Sequence, residues 1–303
     1  MTAVLARAEN HEGASASTGR FHAYAVRSRT GPHVTMQAGV IHANRFWTTT
    51  AADSLKARSV GAHGVATAVV PDGAGHRVVS GKTMVLRPFR PWDALDDVCA
   101  PVFAGTALAR LSLAHLEQLV GYVEASGSIP SRWFPTRRVL LVTRIERSLV
   151  LRGDEVVDAT GSWSGALESE NLTVPTRSQS ESGWLPYEQV APSHRSVVRL
   201  GARVHLGVDS PTGPVSLPAR WLGEDRFATS ASALRAISAE VDGRMSAVFD
   251  QSARRRPDEK LGVLFRGSGR LLAVEGDQAV LGLSSERITT WDGFDADTVD
   301  VHR

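Results

Sequence analysis

The segment Trp47-Thr48-Thr49-Thr50-Ala51-Ala52-Asp53-Ser54-Leu55-Lys56-Ala57-Arg58 gathers the side chains best suited to holding an anion. Three threonines end an aromatic, β-branched run that reads as a strand. Asp53 or Ser54 can cap the short helix after it. A helix start presents backbone N–H groups with no intrahelical partner, and hydroxyls and cations beside it complete a cradle for phosphate. Lys56 supplies a point charge and Arg58 a two-pronged donor. An ordinary capped helix with solvated cations would use the same letters, so local spacing leaves both readings open. The sequence carries no His-Glu-x-x-His pair, Walker loop or Gly-x-Ser-x-Gly elbow, and no catalytic triad is visible. The single cysteine, Cys99, excludes an intrachain disulfide and a cysteine-rich zinc site.

The elements that must position this segment are mostly strands. Phe21–Arg27 suits a strand or a short helix, and His33–His42 and Arg45–Thr50 read as two strands joined by a tight turn at Asn44. Val65–Val70 reads as a buried strand, and Arg77–Pro88 as a strand interrupted by Gly81. Ala107–Ala125 has Leu108, Leu111, Leu116, Leu119, Val120 and Val123 at amphipathic helical spacing. Val139–Ile145 returns to strand character, followed by a turn at Arg152-Gly153-Asp154-Glu155. Residues 8–19 and 161–185 have little hydrophobic periodicity.

The order then repeats. Gly213-Pro214 stands where Gly31-Pro32 stood, an offset of about 182 residues. Val215–Leu222 parallels the strand from His33, and Arg226-Phe227-Ala228-Thr229-Ser230 parallels Arg45–Thr49. Ser232–Ile237 parallels the short helix, Met245–Asp250 parallels Val65–Val70, and Leu261–Leu271 parallels the strand around Gly81. An internal duplication of a small β-rich unit follows. A mainly β, α+β chain of two fused units is expected: 20–155, a linker or long excursion at 156–189, and 190–303. Twisted antiparallel barrels close their own edges, and two copies cover each other's apolar flanks. The groove between copies is a natural ligand site.

The strings Gly31-Pro32-His33-Val34-Thr35, Arg45-Phe46-Trp47-Thr48-Thr49, Ser54-Leu55-Lys56-Ala57, Val65-Ala66-Thr67-Ala68-Val69 and Val79-Ser80-Gly81-Lys82-Thr83 resemble the pyridoxamine 5'-phosphate oxidase-like, FMN-binding split β-barrel family. The resemblance covers roughly 20–155, and more weakly 205–290. It implies that Thr48, Thr49, Ser54 and Lys56 grip a flavin phosphate, with Arg58 a less secure match. It places Thr67 and Ala68 beside the isoalloxazine, and Gly81 and Lys82 where a strand passes close to the cofactor. FMN is the implied cofactor. The deazaflavin F420 is the alternative, with Arg132, Arg137, Arg138 and Arg144 as cations for its acidic tail. Haem, through His22 or His33, is a third option. In the second copy Ala233 stands at the position matched to Ser54, Arg235 at Lys56 and Ala228 at Trp47, so one flavin per chain is expected.

Lys+Arg total 34 and Asp+Glu 32, a formal charge of +2, with pI near 9.0. A nucleic-acid footprint would need cations gathered on one face, and Arg254-Arg255-Arg256 runs straight into Pro257-Asp258-Glu259. No run of 18 apolar residues suggests a membrane helix, and the N-terminal stretch lacks the apolar core of a secretory signal, so a cytoplasmic protein is expected. The expected activity is a flavin-dependent oxidoreductase acting on a small molecule. The alternative is a non-catalytic flavin, deazaflavin or haem binding or sensing protein. The two copies form an intrachain pseudo-dimer, and a further homodimer of whole chains is left open.

Overall fold

The computed structural model describes residues 21–87, 97, 99–125, 127, 129–130, 137–163, 184–199, 203–251 and 257–301. The expected loop at 8–19, residues 164–183 of the one at 161–185, Arg132 and Arg254–Arg256 lie outside these residues.

The first unit is a closed ring of six antiparallel strands. Its members are β1 (Phe21–Ser28), β2 (Gly31–His42), β3 (Arg45–Ala51), β4 (Val65–Asp72), β5 (Gly75–Leu86) and β6 (Arg138–Arg144). They run β1-β2-β3-β6-β5-β4, and β4 closes back on β1. Helix α1 (Leu55–His63) links β3 to β4, and α2 (Ala100–Ala114) and α3 (Leu116–Glu124) lie between β5 and β6. A hairpin of β7 (Arg147–Arg152) and β8 (Glu155–Thr160) extends the sheet from β5. The sheet thus reaches Thr160, past the expected boundary at 155.

The second unit repeats the ring. Its strands are β9 (Arg203–Ser210), β10 (Gly213–Gly223), β11 (Arg226–Ser230), β12 (Arg244–Gln251), β13 (Leu261–Glu275) and β14 (Gln278–Asp292). They run β9-β10-β11-β14-β13-β12, and β12 closes on β9. Strand for strand this is the order of the first ring. α4 (Pro192–Arg195) precedes the ring, α5 (Ala231–Ala236) follows β11 as α1 follows β3, and β15 (Asp295–Asp300) pairs with β14 at the sheet edge. Small details repeat as well. The hydroxyl of Ser28 donates to the Gly31 carbonyl (2.7 Å) and accepts from the Thr30 N–H (3.3 Å). Ser210 does the same with Gly213 (2.8 Å) and Thr212 (3.3 Å). Gly31 and Gly213 close these turns at φ 107° and 114°, backbone conformations that favour glycine. The molecule is a tandem duplication of a six-stranded barrel.

Strand alternation assigns each side chain a face. In β1, Tyr24 and Val26 fill the first barrel with Phe46, Ala66, Ala68, Val79 and Leu141. Ala23 and Ala25 point the other way, into a core shared with Val204, Leu206, Val215, Leu217, Val248 and Phe265 of the second unit. The barrels therefore pack through continuous apolar surface, with close approaches sealing it. A Cβ on Gly207 would come within 2.6 Å of Val34 and 3.0 Å of Pro32.

The helical segment departs from its expected register. The single helix Ala107–Ala125 is two helices meeting at His115, whose buried ring has Nε2 3.5 Å from the Gly39 carbonyl. Ala107, Leu111, Gln118 and Gly121 face inward, while Leu116, Leu119, Val120 and Val123 are exposed. Anchoring His115 rotates the apolar stripe outward.

Candidate functional site

A cavity of about 410 Å³ opens between the two barrels. The first barrel supplies three alternate residues of β2, His33, Thr35 and Gln37, which alternation places on one face. It also supplies the end of β3 and the start of α1, through Thr50, Asp53, Ser54 and Lys56. The second barrel supplies Leu264 of β13, Thr289 and Trp291 of β14, Lys260, and the β14–β15 turn at Gly293-Phe294-Asp295. Phe294 is fixed from outside by Tyr122 of α3, with ring centroids 6.1 Å apart.

Local sequence explains the α1 end. Ser54 is the N-cap: its backbone is extended and its hydroxyl accepts the Ala57 N–H at 3.1 Å. The Thr50 hydroxyl donates to Ser54 Oγ at 3.0 Å, which fixes the strand end against the helix start. No acid stands in the first turn of α1, and Asp53, just before the cap, lines the cavity beside the positive end of the helix.

Two ammonium groups, Lys56 and Lys260, and two carboxylates, Asp53 and Asp295, line the cavity. Lys56 is half-buried and, among the described residues, has no hydrogen bond or ion pair. Burial, then Lys260 and Arg138, push its ammonium pKa down to about 7. Lys260 is already held: its ammonium donates to the Met36 carbonyl (2.9 Å), faces Asp250 (3.6 Å) and lies over the Phe21 ring (5.3 Å). The Arg138 guanidinium donates to the Thr49 hydroxyl (2.8 and 3.1 Å) and carbonyl (3.0 Å). Burial, then Lys56 and Arg266, push His33 down to about 3, so its ring is neutral. Among the described residues, the buried His33 Nδ1 and Trp291 Nε1 have no hydrogen-bond partner. The cavity thus offers an ammonium outside any described ion pair, a helix N-terminus and an indole, and it suits a ligand with an anionic group and ring acceptors.

The residues expected at the site divide. Ser54 and Lys56 reach the cavity, and the neighbouring Thr50 joins them. Thr48 is fully buried and spends its hydroxyl on the Ala38 carbonyl (2.6 Å). Thr49 serves Arg138, behind the wall. Arg58 is exposed and its guanidinium donates to the Asp53 carbonyl (2.5 Å). Thr67 is fully buried and donates to the Pro214 carbonyl of the second barrel (2.7 Å), so it joins the barrels. Gly81 lacks a side chain because the Arg144 carbonyl sits 1.8 Å from where its Cβ would be. Lys82 is exposed. Thr48, Thr67, Gly81 and Lys82 therefore do not line the cavity. His22, the other histidine considered for haem, is buried against the Gly39 carbonyl (3.0 Å).

The wall from the second copy (Lys260, Trp291 and Phe294) escapes residue-level reading of the sequence. The duplication is the only signal for it, because a groove between copies must be lined by both.

The structure also corrects the alignment of the second helix. Its N-cap is Ser230, whose hydroxyl accepts the Ala233 N–H at 3.0 Å. Ser230, not Ala233, is therefore the counterpart of Ser54, and Ser232, not Arg235, is that of Lys56. The slip arises because the five residues Thr49–Asp53 have no equivalent in the second copy, where Ser230 follows Thr229 directly. The matching space is filled: Ser230 and Ser232 both donate to the Asp154 carbonyl (2.5 and 3.3 Å). Ser232 accepts from the Val156 N–H (3.2 Å), and Gln278 donates to the Asp154 carboxylate (3.1 Å). Asp154 lies in the β7–β8 turn, the counterpart of the β14–β15 turn, and Gly153 and Gly293 have φ 63° and 57°.

No helix among the described residues is long and apolar enough to cross a membrane, and none of their His, Cys, Asp and Glu form a metal-binding group. No protein-family model and no curated protein matches the sequence. Solved structures similar to parts of the chain include a pyridoxamine 5'-phosphate oxidase-related, FMN binding protein from Nostoc punctiforme. It is 14% identical over 50% of this chain and 82% of that one, at a TM-score of 0.32. An F420 reductase is 16% identical over 45% and 95%, at 0.29. A FAD-binding protein from Mesorhizobium loti is 16% identical over 44% and 85%, at 0.29. At these TM-scores the likeness adds nothing to the strand order and pairings already described.

Proposed function

We propose that the protein binds one phosphorylated flavin-type cofactor in the inter-barrel cavity and serves as an oxidoreductase for a small molecule. The observation that carries this reading is Lys56. A half-buried ammonium without a described partner, beside the capped start of α1, is costly unless an anion meets it. The Ser54 hydroxyl and the first N–H groups of α1 would share the phosphate. A planar ring would lie along the cavity toward Leu264 and Trp291, with the neutral His33 and the Trp291 N–H for its polar edge. About 410 Å³ falls within the ordinary range for small-ligand sites. When bound, the flavin supplies the hydride or electron chemistry, and the chain binds, orients and desolvates it. FMN is the leading candidate and F420 the alternative.

The test is an absorbance spectrum of the purified full chain, with mass analysis of what is released on denaturation, followed by titration with FMN and F420. Saturable binding that Lys56→Ala weakens at least tenfold supports the reading. A colourless protein with affinity for neither cofactor refutes it. Tight binding without turnover of common electron donors would make the protein a cofactor carrier and refute the oxidoreductase half.

A further inference from the structure

Beside this cavity lies a smaller one of about 70 Å³, roughly two waters' worth of space. It sits where the β1–β2 turn of the first barrel meets β13, β14 and β15 of the second. Thr30, Arg266, Gly267, Glu286, Arg287 and Asp300 line it. Arg266 forms its interior. It is 6% exposed, donates to the hydroxyls of Thr289 (2.8 Å) and Thr30 (3.4 Å), and leaves Nε without a partner. No carboxylate among the described residues forms an ion pair with it. Burial, then Arg287, lower its pKa to about 10, the Asp300 carboxylate partly offsets them, and it stays charged. The acids are at the rim and already used. Glu286 pairs with Arg244 at 2.5 Å and Asp300 with Arg287 at 2.5 Å, and both carboxylates are more than half exposed.

The duplication shows that the fold does not need this charge. Arg266 pairs with Ser246 across β12, as Ser80 pairs with Thr67 across β4, so Ser80 is its counterpart. Around Ser80 one guanidinium suffices: Arg147, across the strand from it, reaches the Ser80 hydroxyl (3.3 Å) and the Thr212 carbonyl (3.4 Å). Around Thr30 there are two, Arg266 and, across the strand from it, Arg287. A buried guanidinium outside any described ion pair is expensive, and the first copy manages the same position with a neutral serine.

We propose that Arg266 anchors a small oxyanion, a carboxylate or a phosphate-sized group, at a second site distinct from the inter-barrel cavity. The Thr30 hydroxyl and Arg287 are placed to join it. The two sites adjoin through Thr289, which holds Arg266 and also lines the larger cavity, but this one uses neither Ser54 nor Lys56.

The test follows the unfolding temperature of the full chain at pH 7 and constant ionic strength, replacing sodium chloride by sodium phosphate or sodium acetate. Wild type and Lys56→Ala should both show saturable stabilisation over chloride, and Arg266→Met should bind at least tenfold more weakly or not respond. In chloride Arg266→Met should be as stable as wild type or more so, because it removes a buried charge. Arg266→Lys, which keeps the charge without the fork, serves if the methionine variant does not fold, and should also bind more weakly. Response to phosphate alone or to acetate alone names the anion. No saturable response in wild type, or an undiminished one in the Arg266 variants, would overturn the proposal. Loss in Lys56→Ala with retention in Arg266→Met would do so too, by assigning the effect to the larger cavity.

Discussion

The depressed pKa of Lys56 makes the affinity for a phosphorylated flavin depend on pH in a defined window. In the free protein this ammonium titrates near 7, because burial and the neighbouring Lys260 and Arg138 disfavour its charge. A phosphate ester carries close to two charges above about pH 6, so the ligand hardly changes over pH 7–9. The protonated fraction of Lys56 falls from about one half at pH 7 to about one in a hundred at pH 9. If only the ammonium form binds, affinity drops about 50-fold over that range, near one decade per unit at the upper end. Pairing raises the pKa in the complex, and the decline stops there. Lys56→Arg, charged throughout, should give a flat profile, and Lys56→Gln a flat and weaker one. Riboflavin, which lacks the phosphate, should also bind independently of pH in the wild type. Flavin-fluorescence titrations at fixed ionic strength measure all four cases. Stability carries the opposite sign. Between about 7 and 10.5 the unfolded chain binds more protons at this residue, so the ligand-free wild type gains stability relative to Lys56→Gln as pH rises. Parallel affinity profiles for wild type and Lys56→Arg would refute the assignment of Lys56 to the phosphate.

Ser54→Ala removes the cap on the Ala57 N–H and should lower stability by about 1 kcal/mol in urea unfolding while weakening flavin binding. Ser230→Ala removes the matching cap on Ala233 at similar cost but should leave flavin affinity unchanged, since its surroundings are already filled. Stoichiometry by calorimetry should be one flavin per chain, and two equivalent sites would contradict the filled second position. His22, His33 and His205 are held down to about 4, 3 and 3, chiefly by burial, and are neutral in the fold. The unfolded chain takes up protons there below about 6.5, so urea midpoints should fall between pH 6.5 and 4, with proton uptake on unfolding approaching three. A midpoint independent of pH in that range would show that these rings are accessible.

The barrels are legible because their signals are local. Gly31-Pro32 and Gly213-Pro214 open equivalent strands, and period-two alternation in β1 and β4 sorts residues between barrel interior and inter-barrel core. The start of α1 is legible for the same reason, since Ser54 caps the helix from within its own segment. What depends on docking is not. Thr67 reads as a cofactor residue until the Pro214 carbonyl is seen above it, and Gly81 until the Arg144 carbonyl is. Lys260 and Trp291 reach the cavity only because the second barrel lies against β2. The Ser54–Ala233 alignment slips because a short insertion has no periodicity to expose it.

Some of the differences between the two copies fall where they meet, and those fit together. At the end of α1 the first copy has Lys56, and the hairpin turn brought by the second copy presents Gly293-Phe294, which leaves a cavity. At the end of α5 the second copy has Ser232, and the turn brought by the first copy presents Gly153-Asp154, whose carbonyl satisfies both serines. A lysine in place of Ser232 would crowd that turn, and a serine in place of Lys56 would leave the open cavity without its charge. Each turn therefore suits only the helix it faces, and the pairs could not be exchanged singly. The same logic separates Ser80 from Arg266: where one copy keeps a neutral hydroxyl under a single guanidinium, the other buries a second cation that the fold itself does not require.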